Sequence, residues 1–166
     1  MSHHSQPEDR SAPDSLHPSW IVRIPSPIWL ILLVLAALAI DWPLQFPAIL
    51  QHRPTGIALI VAGVTFAGWA RLTFRRYGAE ILPSSDAHSA LVASGPFRFS
   101  RNPMYLGLVV VAIGAALLAG TWLMWLVPVV LFALDQFVII PHEERSMERT
   151  FGETYTAYRT RVRRWI

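Results

Sequence analysis

The sequence predicts an all-α, polytopic membrane protein: about four transmembrane helices followed by a C-terminal amphipathic helical segment. Three observations carry that prediction. Only 15% of the 166 residues are charged and 53% are hydrophobic, against roughly 25% charge in soluble domains. The apolar residues gather in long uncharged runs. The arginines gather in two blocks, one between runs and one after them. This composition excludes a disordered chain and an ordinary water-soluble domain. With no Cys, it also excludes a disulfide scaffold, a thiolate nucleophile and a Cys-ligated zinc.

Residues 1–19 are polar and rich in Ser, His and Pro, which predicts a disordered tail. Residues 20–166 then form one membrane domain. A helix needs about 20 residues to cross a ~30 Å hydrocarbon core, with a lower limit near 17. The run 28–40 reaches that length by borrowing Trp42, Leu44 and Phe46, giving a first span over 28–46. The second span, over 55–73, likewise borrows flanking residues. The third (104–120) and fourth (121–140) are long enough unaided, and only Ala119-Gly120-Thr121 separates them, so they form a tight helical hairpin. Ala37-Leu38-Ala39 resembles a signal-peptide cleavage site. The 27 residues before the first run are too long and too acidic for that role, and three more runs follow.

Arginine placement sets the orientation. Arg71, Arg75, Arg76, Arg98 and Arg101 lie between spans two and three, and Arg145, Arg149, Arg159, Arg161, Arg163 and Arg164 follow span four. The opposite side offers Arg53 alone. The positive-inside rule therefore predicts cytoplasmic termini and a cytoplasmic middle loop. The polar chemistry falls in two blocks, 95–107 and 142–166. Spans three and four join at the far side, so the two blocks return as neighbours.

In the first block, Asn102-Pro103 reads as an N-cap followed by proline at the first helical position. Arg98, Arg101, Phe97, Phe99 and Tyr105 crowd that start. A helix N-terminus with free N–H groups is a ready anion site, and Arg101 and Tyr105, four residues apart, can share a face. Anchoring at the membrane interface accounts for the same residues. In the second block, Pro141 kinks or restarts the helix just before Glu143 and Glu144. Met147, Phe151, Tyr155, Tyr158, Val162 and Trp165 recur at three- and four-residue steps and give the tail one apolar face; Gly152 divides it into two short helices. The six tail arginines suit an anionic leaflet, but paired glutamates do not unless they meet a cation. Asp135 lies inside the fourth run, where a carboxylate costs about 2.5–3.5 kcal/mol to insert. It should therefore face the bundle, with an Arg of the middle loop as the expected partner. His142, Glu143 and Glu144 diverge on a helix and have no second His cluster to join, so no metal site is expected.

Taken together, Gly95-Pro96-Phe97-Arg98-Phe99, Arg101-Asn102-Pro103-Met104-Tyr105-Leu106-Gly107, and Glu143-Glu144 followed by Met147, Phe151-Gly152, Tyr155, Tyr158 and Arg161 to Arg164 resemble the isoprenylcysteine carboxyl methyltransferase family. That family belongs to a wider group of small membrane methyltransferases that includes phospholipid N-methyltransferases. The resemblance covers 74–166 and implies an S-adenosyl-L-methionine site between spans three and four, capped by the 141–166 segment. It implies cofactor-binding roles for Arg101, Asn102, Pro103, Tyr105, Gly107, Glu143 and Glu144, and catalytic roles for Arg98 and Glu144. Asn102 stands where the best-known members have His. Asn donates a hydrogen bond but does not titrate near neutral pH, which favours a carboxylate or thiolate acceptor over an amine.

The residue types suit that ligand. Arg101 and a helix N-terminus match its carboxylate, and Glu143 or Glu144 its ammonium or ribose hydroxyls. Aromatic faces of Phe97, Phe99 or Tyr105 match the sulfonium or adenine. The expected partners are the lipid bilayer and a lipophilic small-molecule acceptor entering sideways between helices; nucleic acid is not expected, and the expected location is a bacterial inner membrane. The competing readings are a phospholipid N-methyltransferase and a non-enzymatic four-span transporter. The transporter reading needs a carboxylate in the first span, and 28–40 has none.

Overall fold

The computed structural model describes residues 19–77 and 91–166. The polar tail predicted over 1–19 lies, except for Ser19, outside the described residues. The described chain is helical: α1 (Ser19–Arg23), α2 (Ser26–Leu44), α3 (Arg53–Arg76), a single 3-10 turn (Gly95–Arg98), α4 (Pro103–Ala119), α5 (Trp122–Leu134), a π-helical turn (Asp135–Ile139), α6 (Ile140–Phe151) and α7 (Glu153–Arg161). Among the described residues the sole β pairing is an isolated bridge between Ala48 and Thr121.

Among the described residues three helices are long and apolar enough to cross a membrane: α2, α3 and the continuous helix Trp122–Phe151. The fourth apolar helix, α4, has 17 residues, or about 26 Å at 1.5 Å per residue. The first span begins at Ser26 rather than 28 and ends at Leu44, where Gln45 turns left-handed (φ 46°). The second extends beyond 55–73 at both ends, with the His52 ring accepting from the Thr55 N–H at its start.

At Pro141 the helix changes register without ending: a π turn over Asp135–Ile139 leads directly into α6, with Pro141 in its first turn. Pro141 has no N–H to give to the preceding turn. The turn before it is wide, with the Ile140 N–H bonded to the Asp135 carbonyl five residues back, and this π register carries the proline without a break.

The tightest contact in the bundle is between α3 and α4, which run antiparallel. A Cβ on Gly63 would stand 2.6 Å from the Gly107 carbonyl oxygen, and one on Gly114 would stand 2.7 Å from the Gly56 carbonyl oxygen. Only glycine permits backbones this close. The seven-residue spacing of Gly56, Gly63 and Ala70 on α3, and of Gly107 and Gly114 on α4, keeps the small residues on one stripe. On its other side α4 packs through Ala112 and Ala116 against Leu30, Ala37, Met124, Val127 and Leu131 of α2 and α5.

The end opposite the arginine blocks is closed by the α2–α3 loop. The N–H groups of Ile49 and Leu50 donate to the Gly120 carbonyl, the His52 N–H to Leu117, and Gln51 Nε2 to Leu118 at 2.7 Å. The carbonyls that a helix leaves unpaired at its C-terminus are thereby satisfied, and the α4–α5 hairpin is fixed. Its two partner ends therefore return together at the basic end.

Candidate functional site

The 3-10 turn tucks Pro96 and Phe97 under α3, where Phe97 packs with Ala70 and Val92 and is flanked by Phe74 and Met104. The same turn leaves Arg98 and Phe99 exposed. The next residues form the junction. Ser100 is fully buried, and its hydroxyl both accepts from the Asn102 N–H (3.1 Å) and donates to the Arg164 carbonyl (3.1 Å). Asn102 occupies the N-cap position of α4, but its side chain makes no cap bond. Its amide donates instead to that Arg164 carbonyl at 3.2 Å. The Arg101 N–H donates to the Arg163 carbonyl at 3.0 Å. The motif that opens α4 therefore holds the C-terminal segment of the chain.

The ion pairs follow from that attachment. Arg101 Nη1 lies 2.9 Å from Glu144 Oε1, both side chains being only 9% exposed. Arg164 takes the same carboxylate with two nitrogens, Nη2 to Oε2 at 2.6 Å and Nε to Oε1 at 3.2 Å. One buried carboxylate thus holds two guanidiniums, the bidentate geometry that Arg favours. Arg101 Nη1 also donates to the Tyr155 hydroxyl at 3.4 Å, whereas its Nε is buried with no hydrogen-bond partner among the described residues. Burial raises the Tyr155 pKa; the Glu144 charge adds to that, and the Arg101 guanidinium opposes it.

The neighbouring glutamate behaves differently. Glu143 is exposed and accepts from the Tyr105 hydroxyl at 2.5 Å. Arg101 and Tyr105 thus reach the same helix, α6, but different carboxylates.

α7 folds back as a lid across this junction. Gly152, at φ +52° and ψ −125°, ends α6 with its N–H on the Glu148 carbonyl and lets the chain reverse, so the predicted division of the tail at this residue stands. Tyr155 and Tyr158 are buried, and the Tyr158 hydroxyl donates to the Phe97 carbonyl at 2.7 Å. Burial pushes the Tyr158 hydroxyl up to about 12, so it remains a donor. Trp165 stacks on Phe132 and donates to Gln136 at 2.7 Å. Arg164 is therefore turned inward, away from the lipid face expected for it, because Glu144 offers a carboxylate there.

Asp135 is fully buried as predicted, but its partner is Ser26 of α2, whose hydroxyl donates to Oδ1 at 2.8 Å. Among the described residues no ion pair to it is seen, and Arg101 and Arg164 are both taken by Glu144. Sequence reasoning missed Ser26, Ser100 and the inward Arg164. Ser26 sits just before Pro27 and reads as a helix start; nothing in its spacing announces a partner 109 residues away.

The comparisons with known proteins fall on this same part of the chain. A profile of the family described as phospholipid methyltransferase matches residues 52–154, from the start of α3 to the first turn of α7. The chain belongs to the phospholipid methyltransferase family. An uncharacterized protein of Haemophilus influenzae is 38% identical over 64 residues, which is 38% of this chain and all of that protein. No solved structure matches. The family places the chain among methyltransferases, and its apolar helices make it an integral membrane protein. The matched segment holds Arg101, Asn102, Pro103, Tyr105, Gly107, Glu143 and Glu144.

Proposed function

We propose that this family member is an S-adenosylmethionine-dependent methyltransferase whose donor binds at the basic end, between α4 and α6 and beneath α7. We take that end to be cytoplasmic and α4 to be a fourth span, its short length offset by the close α3 seam. The observation that carries the reading is the convergence of Arg101, Tyr105, Glu143 and Glu144 at the α4 N-terminus. Arg101 has a buried Nε without a hydrogen-bond partner among the described residues, and Glu143 is an exposed residue. This donor and acceptor set suits a ligand that carries a carboxylate, an ammonium and ribose hydroxyls. When bound, that ligand supplies an activated methyl group on a sulfonium.

The chain's own work is to bind, orient and exclude water. Arg101 and the free N–H groups of α4 hold an anion. Glu143 accepts from a cationic or hydroxyl group, and Glu144 keeps both guanidiniums in place. Asn102 and Pro103 fix the helix start, and Gly107 sets its distance from α3. Arg98 is exposed at the end of the 3-10 turn, and the motif resemblance makes it a catalytic candidate. Holding donor and acceptor together can supply up to ~7–11 kcal/mol of the barrier. A lipid-like acceptor would reach this end sideways between the helices. The motif resemblance favours an isoprenylcysteine-type carboxylate or thiolate acceptor.

Calorimetric titration with S-adenosylhomocysteine tests this. The wild-type protein binds; Arg101→Ala and Glu144→Ala lose binding, and His142→Ala retains it. Because the first two also disturb packing, Tyr105→Phe serves as the milder variant, with weakened binding and normal expression expected. Unchanged affinity in all three site variants overturns the assignment. The family description favours a second reading, a phospholipid N-methyltransferase. Methylated phosphatidylethanolamine in the lipids of expressing cells selects it.

A further inference from the structure

After α7 ends at Arg161, residues 162–166 run without helix across the head of α4. The Arg163 carbonyl accepts from the Arg101 N–H at 3.0 Å, and the Arg164 carbonyl accepts from the Ser100 hydroxyl at 3.1 Å and the Asn102 amide at 3.2 Å. The Arg164 guanidinium then turns to Glu144, with Nη2 on Oε2 at 2.6 Å and Nε on Oε1 at 3.2 Å. Two adjacent residues thus offer acceptor oxygens to the donors that open α4 and a cation to the buried carboxylate of α6.

The amino-acid end of the proposed ligand offers the same groups, a carboxylate and an ammonium, and so competes for the same partners. The hold of Glu144 on its two guanidiniums is unequal in a way that permits exchange. The Arg101 side chain is 9% exposed and that of Arg164 27%. When Arg164 leaves, Arg101 stays on Glu144. No buried charge is then stranded, which is what makes a broken buried pair costly. The released guanidinium reaches water beside Arg161 and Arg163, both already exposed.

Trp165 fastens the segment away from that carboxylate. Its indole N–H donates to Gln136 Oε1 at 2.7 Å, and its ring centroid lies 4.8 Å from that of Phe132. Neither partner belongs to the set formed by Arg101 and Glu144, so the segment can be loosened without altering a group proposed to bind ligand.

We propose that residues 162–166 are an autoinhibitory strap: Arg164 occupies the ammonium position on Glu144, and the methyl donor binds by displacing it. The identity of the displacing ligand rests on the methyltransferase reading above. With the strap docked, Glu144 keeps both guanidiniums. With the donor bound, it keeps Arg101 and takes the ligand's ammonium, leaving Glu143 for a hydroxyl group. Apparent affinity is reduced by the fraction of molecules in which the binding-competent state is closed off, so this segment sets the donor concentration at which the site fills.

Calorimetry and spin-label distances on the full-length protein in lipid nanodiscs test this. Arg164→Ala should bind S-adenosylhomocysteine about tenfold tighter than wild type, and Trp165→Ala about threefold tighter. Methylthioadenosine, which has the nucleoside without the amino-acid end, should bind both variants as it binds wild type. The chain has no Cys, so nitroxides on Glu153→Cys and Ile166→Cys, two exposed positions, report where the segment lies. Saturating S-adenosylhomocysteine should shift their separation, and Arg164→Ala should show the shifted population before ligand is added. Binding of S-adenosylhomocysteine with an unmoved segment, or no gain of affinity in either variant, overturns the strap and keeps the methyltransferase site. Equal gains for methylthioadenosine also overturn it, because the segment would then obstruct the nucleoside end. Failure of wild type and both variants to bind S-adenosylhomocysteine rejects the site and the strap together.

Discussion

Along α3, Gly56 and Gly63 let the α4 backbone approach until a single methyl group would collide with it, whereas at the head of α4 the chain is held by charge, two guanidiniums on one buried carboxylate. The first contact depends on shape and on nothing that titrates. The second depends on completeness, because any one member left alone is a desolvated charge. The seam therefore fixes where the α4 N-terminus stands, and the charged junction fixes what closes over it. Only the junction offers groups with which a polar ligand can exchange.

The largest expected effect breaks the junction. Glu144→Gln keeps the shape but strips the charge that two arginines share. Removing one partner of a buried pair costs about 3–5 kcal/mol, and thermal unfolding in nanodiscs should register that loss together with the loss of S-adenosylhomocysteine binding. Breaking the seam should cost less. Gly63→Ala overpacks a contact with no slack and is expected to destabilise by about 1–3 kcal/mol. Gly68→Ala, on the same helix with open space where its Cβ would go, should be neutral or gain up to about 1 kcal/mol from helix propensity. Equal effects of the two glycine variants would show that the seam is not a steric contact.

The two regions also differ in how far the sequence revealed them. Charge distribution and hydropathy marked the apolar helices, the hairpin at Gly120 and the return of both polar blocks to one end, because each is a one-dimensional property of the chain. The same reading identified Arg101, Tyr105, Glu143 and Glu144 as a group, but not who pairs with whom. It did not show that Glu144 pairs with Arg101 and Arg164, and it gave Asp135 an arginine, although Ser26 takes it. Pairing depends on rotation about each helix axis, and the π turn before Pro141 changes that rotation for everything after it. The seam was overlooked for a different reason. Glycines in an apolar run read as mere breaks in hydrophobicity, and only their seven-residue spacing on both helices hints at a shared stripe.

A smaller effect concerns the lid. Tyr158→Phe removes one buried hydrogen bond, to the Phe97 carbonyl, at a cost of about 0.5–1.5 kcal/mol. It should also alter the response to alkali. The folded hydroxyl titrates at about 12, above the ~10 of an unfolded tyrosine, so the folded state holds the proton more tightly. This contribution is complete below about pH 10 and is lost as pH rises toward 12. Wild-type stability should fall over that window, and the fall should be smaller in Tyr158→Phe. Identical alkaline profiles would mean that Tyr158 does not anchor the lid.

The smallest expected effect falls where the sequence departs from its resemblance. Asn102 donates its amide to the Arg164 carbonyl, and an imidazole N–H can make the same bond. Asn102→His should therefore keep the C-terminal segment attached, shift stability by no more than about 0.5 kcal/mol and leave S-adenosylhomocysteine affinity unchanged. Asn102→Ala lacks the donor and should lose about 0.5–1.5 kcal/mol. If Asn102→His instead weakens binding while unfolding is unaltered, the side chain at this position faces the ligand rather than the C-terminal segment. If both variants unfold together, the donor geometry at this position is stricter than a single hydrogen bond requires. Equal behaviour of His and Asn would assign this position to closure of the lid, and proton removal would then have to come from elsewhere in the bundle.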